Sequence, residues 1–291
     1  MKQIVIISGK GGTGKTSITA SFAYLEKNEM VLADCDVDAS DMHLLMGPDI
    51  KETEDFFSSD LAVLDQNKCI KCGKCMEICR FDAVEISEKG YNIIPLECEG
   101  CGYCTHICPS DALKLEKQKD GRLFFSFTEY EQPFFHAELG AGAENSGKLV
   151  TEVKQKAVKY ASENNIGKIL VDGSPGIGCP VIASLAGADF VLIVTEPTVS
   201  GVHDLKRVAE LVKKFRIKCG CMINKYDINT DNTSKIRKFL HEENIDLISE
   251  IPYSNSFTES MTAAVTVAEY NRRLGSILHA SWLKINKLTG V

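Results

Sequence analysis

The sequence predicts an α/β fold with a doubly wound, mostly parallel sheet, interrupted by a small cysteine-rich α+β domain. Three observations carry the prediction. Apolar runs of strand length alternate with helix-length runs over both ends of the 291-residue chain, the pattern of a parallel sheet covered by helices. A glycine-rich loop joins the first apolar run to the first helix. Eight of the twelve cysteines fall between residues 69 and 108, in a stretch whose composition matches neither flank.

Taken in order, Lys2–Ile7 is a buried strand, Ser8–Gly14 a loop, and Lys15 to about Glu26 the helix it opens. Met30–Asp34 is a second short strand, ending in the acidic run Asp34, Cys35, Asp36, Val37, Asp38. Residues 1–63 therefore form the first part of the larger domain. After Leu64 the composition turns to cysteine, glycine and charge until about Lys119, which marks residues 64–119 as an inserted domain. Inside it, the phrases Phe81–Ile86 and Ser110–Leu115 follow two cysteine runs, an internal repeat of about 29 residues. The larger domain resumes over 120–291, with a strand at Arg122–Phe127 and a loop of small residues at 139–147. Further strands are expected at Lys168–Asp172, Phe190–Thr195, Lys218–Ile223 and Leu247–Ile251. Helices are expected around Leu149–Asn164, Val202–Phe215, Ser234–Glu243 and Asn271–Asn286.

The formal charge of −7 argues against a nucleic-acid partner or an anionic membrane, since both attract basic patches. No signal peptide is expected in the short apolar run before the glycine loop, and no apolar run approaches the roughly 20 residues that span a bilayer. Cysteines at metal-ligand spacing in such a chain read as thiolates kept reduced in the cytoplasm.

Gly9, Gly14, Lys15 and Thr16 fit the phosphate-loop pattern, and the loop lies between strand and helix as the motif requires. Its backbone N–H groups and the helix N-terminus suit phosphate oxygens. Lys15 is expected at the β- and γ-phosphates and the Thr16 hydroxyl on Mg²⁺. The cysteine runs are Cys69, Cys72, Cys75, Cys79 and Cys98, Cys101, Cys104, Cys108, the second followed by Pro109. That spacing is the two-cluster [4Fe–4S] signature, in which the fourth cysteine of each run serves the other cluster. Cluster one is then Cys69, Cys72, Cys75 and Cys108; cluster two is Cys79, Cys98, Cys101 and Cys104. Arg80 stands where the first run would carry proline. Zinc hooks or a disulfide scaffold are the competing readings. Cys35, Cys179, Cys219 and Cys221 read as small apolar side chains, with a transient ligand role for Cys179 as the sharper idea.

Lys10-Gly11-Gly12-Thr13-Gly14-Lys15-Thr16 resembles the deviant Walker A loop of the MinD/ParA family of P-loop ATPases, which includes the nitrogenase iron protein. The resemblance covers nearly the whole chain and is to members that carry an inserted ferredoxin-like domain. It implies a nucleotide site built from Gly9, Lys10, Gly11, Gly12, Thr13, Gly14, Lys15, Thr16 and Ser17. It also implies a homodimer in the nucleotide-bound state, with Lys10 reaching the partner's phosphates. Asp36 matches the carboxylate that positions the attacking water, which makes Lys10, Lys15 and Asp36 the catalytic set; Asp34 and Asp38 flank it and could exchange roles. Asp172, Gly173, Pro175 and Gly176 resemble switch II, with Thr16, Asp36 and Asp172 around Mg²⁺. Asn224, Lys225 and Asp227 occupy the base-reading position, with Pro252 under the base edge. The same Asn-Lys-x-Asp also matches the guanine-reading motif, so ATP is favoured and GTP stays open.

Three functions follow from the resemblance. One is an ATPase that couples ATP binding and hydrolysis to iron–sulfur electron transfer. Another is an assembly or carrier ATPase for iron–sulfur clusters or metallocofactors, with a redox or assembly protein as partner. The third is a MinD/ParA-like positioning ATPase with structural or sensory clusters. The C-terminal helix around Trp282 is expected to pack on the sheet, and membrane attachment through it is the minor alternative.

Overall fold

The computed structural model describes residues 1–290 except 28–29, 89, 141 and 144–145. The first stretch runs β1 (Lys2–Ser8), α1 (Lys15–Leu25), β2 (Val31–Asp34), α2 (Met42–Met46) and β3 (Asp49–Leu64). The cysteine-rich stretch follows with α3 (Lys74–Ile78), β4 (Val84–Ser87), β5 (Gly90–Ile93), α4 (Tyr103–Ile107), β6 (Leu113–Phe127) and β7 (Pro133–Leu139). Then come α5 (Ser146–Glu163), β8 (Lys168–Pro175), α6 (Cys179–Leu185), β9 (Phe190–Thr195), α7 (Val199–Lys214) and β10 (Lys218–Asn224). The chain closes with α8 (Thr230–Glu242), β11 (Asp246–Ile251), α9 (Ser256–Thr262), α10 (Val267–Tyr270) and α11 (Arg272–Thr289).

Two compact units result. The first comprises residues 1–54, 123–138 and 146–291, the second 55–122 and 139–145. Among the described residues the main sheet has nine strands in the order β11-β10-β9-β1-β8-β2-β7-β6-β3. Strands β10, β9, β1, β8 and β2 pair in parallel with each other, and the same sense continues to β11 and β7. Ile4–Ile7 of β1, all of β2 and all of β9 are buried, because a parallel strand is covered on both faces and must be apolar throughout.

The expected strands and helices of the first unit all form, most of them a few residues longer. Three differences have physical reasons. β6 begins at Leu113, well before the expected Arg122, and β3 is unforeseen. Residues 49–55 of β3 are exposed and mostly charged, so they lack apolar alternation; charge on an edge strand discourages pairing with other chains. The second unit consequently reaches beyond 64–119, since composition marks where the cysteines begin and not where the strands that lead to them begin. Within the expected loop 139–147, residues 141 and 144–145 lie outside the described residues.

Helix α11 packs on the sheet. It buries Leu274, Leu278, Trp282 and Ile285, and Trp282 stacks on Phe22 with ring centroids 4.8 Å apart. The Trp282 indole N–H donates to the Glu26 carboxylate, which also pairs with Lys168. The apolar stripe of α11 is therefore spent on the core. No helix among the described residues is long and apolar enough to cross a membrane.

His136 on β7 lies between the rings of Phe124 and Phe134, at 4.9 and 4.5 Å, and its Nε2 is 2.9 Å from Ser126 Oγ. Burial, with His43 adding repulsion, pushes its pKa down to about 4. The native state thus binds the proton later than the unfolded chain, and stability falls as pH drops from the unfolded value near 6.5 toward 4. Urea unfolding of the wild type and His136→Phe should diverge below pH 6.5, by up to about 3 kcal/mol at pH 4, the variant losing less. Parallel pH profiles would exclude this role.

Candidate functional site

Strand β1 delivers the chain into the glycine loop at Ser8. Gly12 and Gly14 then take φ of 77° and 89°, the left-handed region that a side chain resists. A Cβ on Gly14 would also stand 2.6 Å from Asn224 Nδ2. The loop lines a cleft of about 450 Å³ together with Asp36, Asn224, Lys225, Tyr253 and Phe257. α1 points its N-terminus into that cleft, where free N–H groups favour an anion.

Behind the loop lies Asp172 of β8, wholly buried. Its Oδ2 accepts from Lys15 Nζ and from the Thr16 hydroxyl, both at 2.7 Å, and its Oδ1 from the Thr19 hydroxyl at 2.7 Å. Lys15 Nζ also lies 3.3 Å from Asp36. Burial alone would lower the Lys15 pKa, but Asp172, Asp36 and Asp34 outweigh it and hold it above the usual value. Asp36 is pushed up by burial, against the pull of Lys15. Asp34 sits opposite Asp172 in the β2–β8 register; burial and then that neighbour push it up to about 8. Its oxygens accept the Asp36 N–H at 3.0 Å and the Ser40 hydroxyl at 2.9 Å. Asp38 is exposed. Of Asp34, Asp36 and Asp38, Asp36 is the one on the cleft wall.

Lys10 leaves the loop in another direction. Its ammonium donates to the hydroxyls of Thr198 and Ser200, each at 2.9 Å, and pairs with Glu196 at 2.7 Å. The other oxygen of Glu196 accepts from Lys225 at 2.8 Å, and Lys225 also donates to the Gly12 carbonyl at 3.0 Å. Burial would raise the Glu196 pKa; the two lysines overcome this and hold it below the ordinary carboxylate value. Glu196 is absent from the sequence reading, although an acid directly after the apolar run Phe190–Thr195 was the available signal.

Asn224 donates to the Thr13 carbonyl at 2.8 Å, tying β10 to the loop. Asp227 accepts the Tyr253 backbone N–H at 2.7 Å, so it braces the end of β11. Neither Asp227 nor Pro252 lines the cleft, whereas Tyr253 and Phe257, not foreseen, do. Pro175 stands on the cleft wall. Gly173 packs where a Cβ would meet the Ile7 side chain at 2.8 Å, and Gly176, at φ 91°, donates its N–H to Ser8.

The second unit repeats itself at the spacing expected. α3 and α4 lie 29 residues apart, since Lys74 and Tyr103 open them. Left-handed backbone recurs in step: Lys71 and Gly100 at φ 57° and 60°, Gly73 and Gly102 at 81° and 74°, Asp82 and Asp111 at 52° and 48°. Cys69, Cys72, Cys75 and Cys108 border one small cavity; Cys79, Cys98, Cys101 and Cys104 border another. Around them Ala62, Val84, Ile93 and Leu113 form an apolar cluster. Cys108 Sγ accepts the Ala112 N–H at 3.3 Å; burial would raise its pKa, but such N–H groups hold it below the usual thiol value. Among the described residues, no three His, Cys, Asp or Glu side chains converge as a site for a single metal ion. Each cavity is nevertheless bordered by four thiols, the number of ligands that a [4Fe–4S] cluster takes.

The remaining cysteines divide. Cys35 and Cys221 are buried and burial pushes both thiols up. Burial likewise pushes the partly exposed Cys219 up to about 11, and Cys179 is exposed at the start of α6.

Lys15→Ala should weaken binding of a fluorescent ATP analogue by roughly 100-fold or more, since it removes the cleft's buried cation and leaves Asp172 and Asp36 uncompensated. Affinity within a few-fold of wild type would contradict this reading of the cleft.

A family model for the CobQ/CobB/MinD/ParA nucleotide binding domain matches residues 4–267. The uncharacterized protein MJ0578 of Methanocaldococcus jannaschii is 39% identical over 232 residues, which cover 79% of this chain and 80% of that protein. MJ0579 of the same organism, also uncharacterized, is 30% identical over 281 residues, 93% of each chain. The solved structure of the septum site-determining protein MinD of Pyrococcus horikoshii with Mg-ADP matches with a TM-score of 0.57, covering 99% of this chain and 97% of that one at 16% identity. That likeness is one of fold. With the match running from β1 to α10, the chain belongs to the CobQ/CobB/MinD/ParA nucleotide-binding family.

Proposed function

We propose that the protein is a homodimerising ATPase whose nucleotide cycle governs iron–sulfur electron transfer through two [4Fe–4S] clusters in the second unit. The observation that carries the cluster half is the pairing of thiols: Cys108 shares a cavity with Cys69, Cys72 and Cys75, and Cys79 with Cys98, Cys101 and Cys104. This is the crossed assignment that the spacing implies. When bound, the clusters would supply one-electron carriers; the thiolates would hold them, and the apolar cluster around Val84 and Ile93 would pack beside them.

The ATPase half rests on family membership and on the cleft. Lys15 and the loop N–H groups would take the β- and γ-phosphates, Thr16 and Asp172 the Mg²⁺ shell, and Asp36 the attacking water. Lys10 would leave Glu196 to reach the phosphates of a second copy. Asp227, engaged with the Tyr253 N–H, is poorly placed to pair with guanine, which supports ATP over GTP. Thiolates of this kind suit a reducing cytoplasm.

A second reading keeps the ATPase and makes the clusters structural or sensory in a positioning protein of the MinD/ParA kind. The comparisons lean this way, because a MinD is among the solved structures matched. A third, cluster or metallocofactor assembly, would use the same thiols for transfer.

Anaerobic reconstitution should load about eight irons and eight sulfides per chain, and Cys108→Ala should lose about half. Cys69→Ala should lose the same electron paramagnetic resonance signal as Cys108→Ala. Zinc uptake in place of iron would remove the cluster reading. Asp36→Ala is expected to keep ATP binding and to accumulate as a dimer on size exclusion; rapid turnover in that variant would refute its catalytic role.

A further inference from the structure

The two cysteine loops share a backbone and oppose each other in charge. Across the 29-residue repeat, Lys68 corresponds to Glu97, Ile70 to Glu99, Lys71 to Gly100 and Lys74 to Tyr103. Residues 68–75 therefore carry three lysines and no acid, and residues 97–104 two glutamates and no base. All five charged side chains are exposed. The fold does not require the difference, because the left-handed positions and short helices recur in register on both sides.

Lys71 sharpens the point. It holds φ at 57° where its repeat mate is Gly100 at 60°. A lysine there costs about 1 kcal/mol relative to glycine, so the sequence keeps a cation at a position where backbone geometry favours none. Cys72, in the same loop, is itself exposed, so a partner seated on the lysines would approach the first thiol set closely.

We propose that the loop 68–75 is the docking surface for an acidic electron-carrier protein, which the glutamates of the loop 97–104 repel from the second thiol set. This deepens the electron-transfer reading and rests on it. Opposite charge on the two faces steers one carrier to one cluster site, and local positive charge favours the reduced form of a bound cluster. In the same logic the first thiol set is the end that accepts electrons from the second. Arg80 follows Cys79 of the second set and partly offsets that difference, while the steering by the loops is unaffected.

The test uses the full chain and an acidic flavodoxin as probe, with its flavin fluorescence reporting binding. Affinity for the wild type should fall steeply between low and 0.3 M salt. The K68E/K71E/K74E variant should bind roughly 30-fold more weakly at low salt, and E97K/E99K should bind as well as the wild type or better. No binding to the wild type, an affinity for the triple variant within twofold, or a loss confined to E97K/E99K would each overturn the proposal. So would lysine-dependent binding to phosphatidylglycerol vesicles with none to flavodoxin. Iron and sulfide content of the same samples reports the cluster reading separately: binding without iron would leave the docking surface standing and remove the electron-transfer role.

Discussion

A single buried carboxylate organises the first unit. Asp172 lies at zero exposure in the middle of a parallel sheet, where an unpaired charge would cost several kcal/mol. Its partners all come from the phosphate loop and the first turns of α1: Lys15, Thr16 and Thr19. The charge on β8 thereby fixes where α1 begins, and α1 fixes the loop over the cleft. A second carboxylate, Glu196, repeats the logic on the other side of β1 by joining Lys10 to Lys225. The loop is thus gripped from both sides by acids toward the carboxyl ends of β8 and β9, the two strands that flank β1, where open α/β sheets form their binding crevices.

This arrangement makes the site sensitive to anything that competes for the lysines. Lys15 is shared between Asp172 and Asp36, and Lys10 between Glu196 and two hydroxyls. Phosphate groups entering the cleft would compete with those acids for the same cations. The resting ion pairs are therefore part of the energetics of binding, and their geometry is set by strands and not by mobile side chains alone.

Much of this was legible in the sequence. The apolar runs Ile4–Ile7 and Phe190–Thr195 are strands because nothing polar interrupts them, and the glycine loop declared both its position and its chemistry. The 29-residue repeat was readable from the cysteine spacing and reappears in the backbone angles. What was not legible lacked a periodic signal. β3 is mostly charged and exposed over 49–55, so it reads as loop. Tyr253 and Phe257 line the cleft, and Glu196 meets Lys10 and Lys225, only because distant strand ends and the start of α9 come together, and long-range meeting leaves no local trace. Asp227 shows a contact that no motif announces: its carboxylate accepts the Tyr253 N–H.

On the proposed function, nucleotide at the cleft is read out at the thiol sets of the second unit. The direct measurement is the midpoint potential of each cluster in the reconstituted protein, followed by electron paramagnetic resonance with and without Mg-ATP. Two signals are expected, at least one of which shifts with Mg-ATP in the wild type and stays fixed in Lys15→Ala. Two signals indifferent to nucleotide would contradict it and leave the clusters with a structural or sensory role.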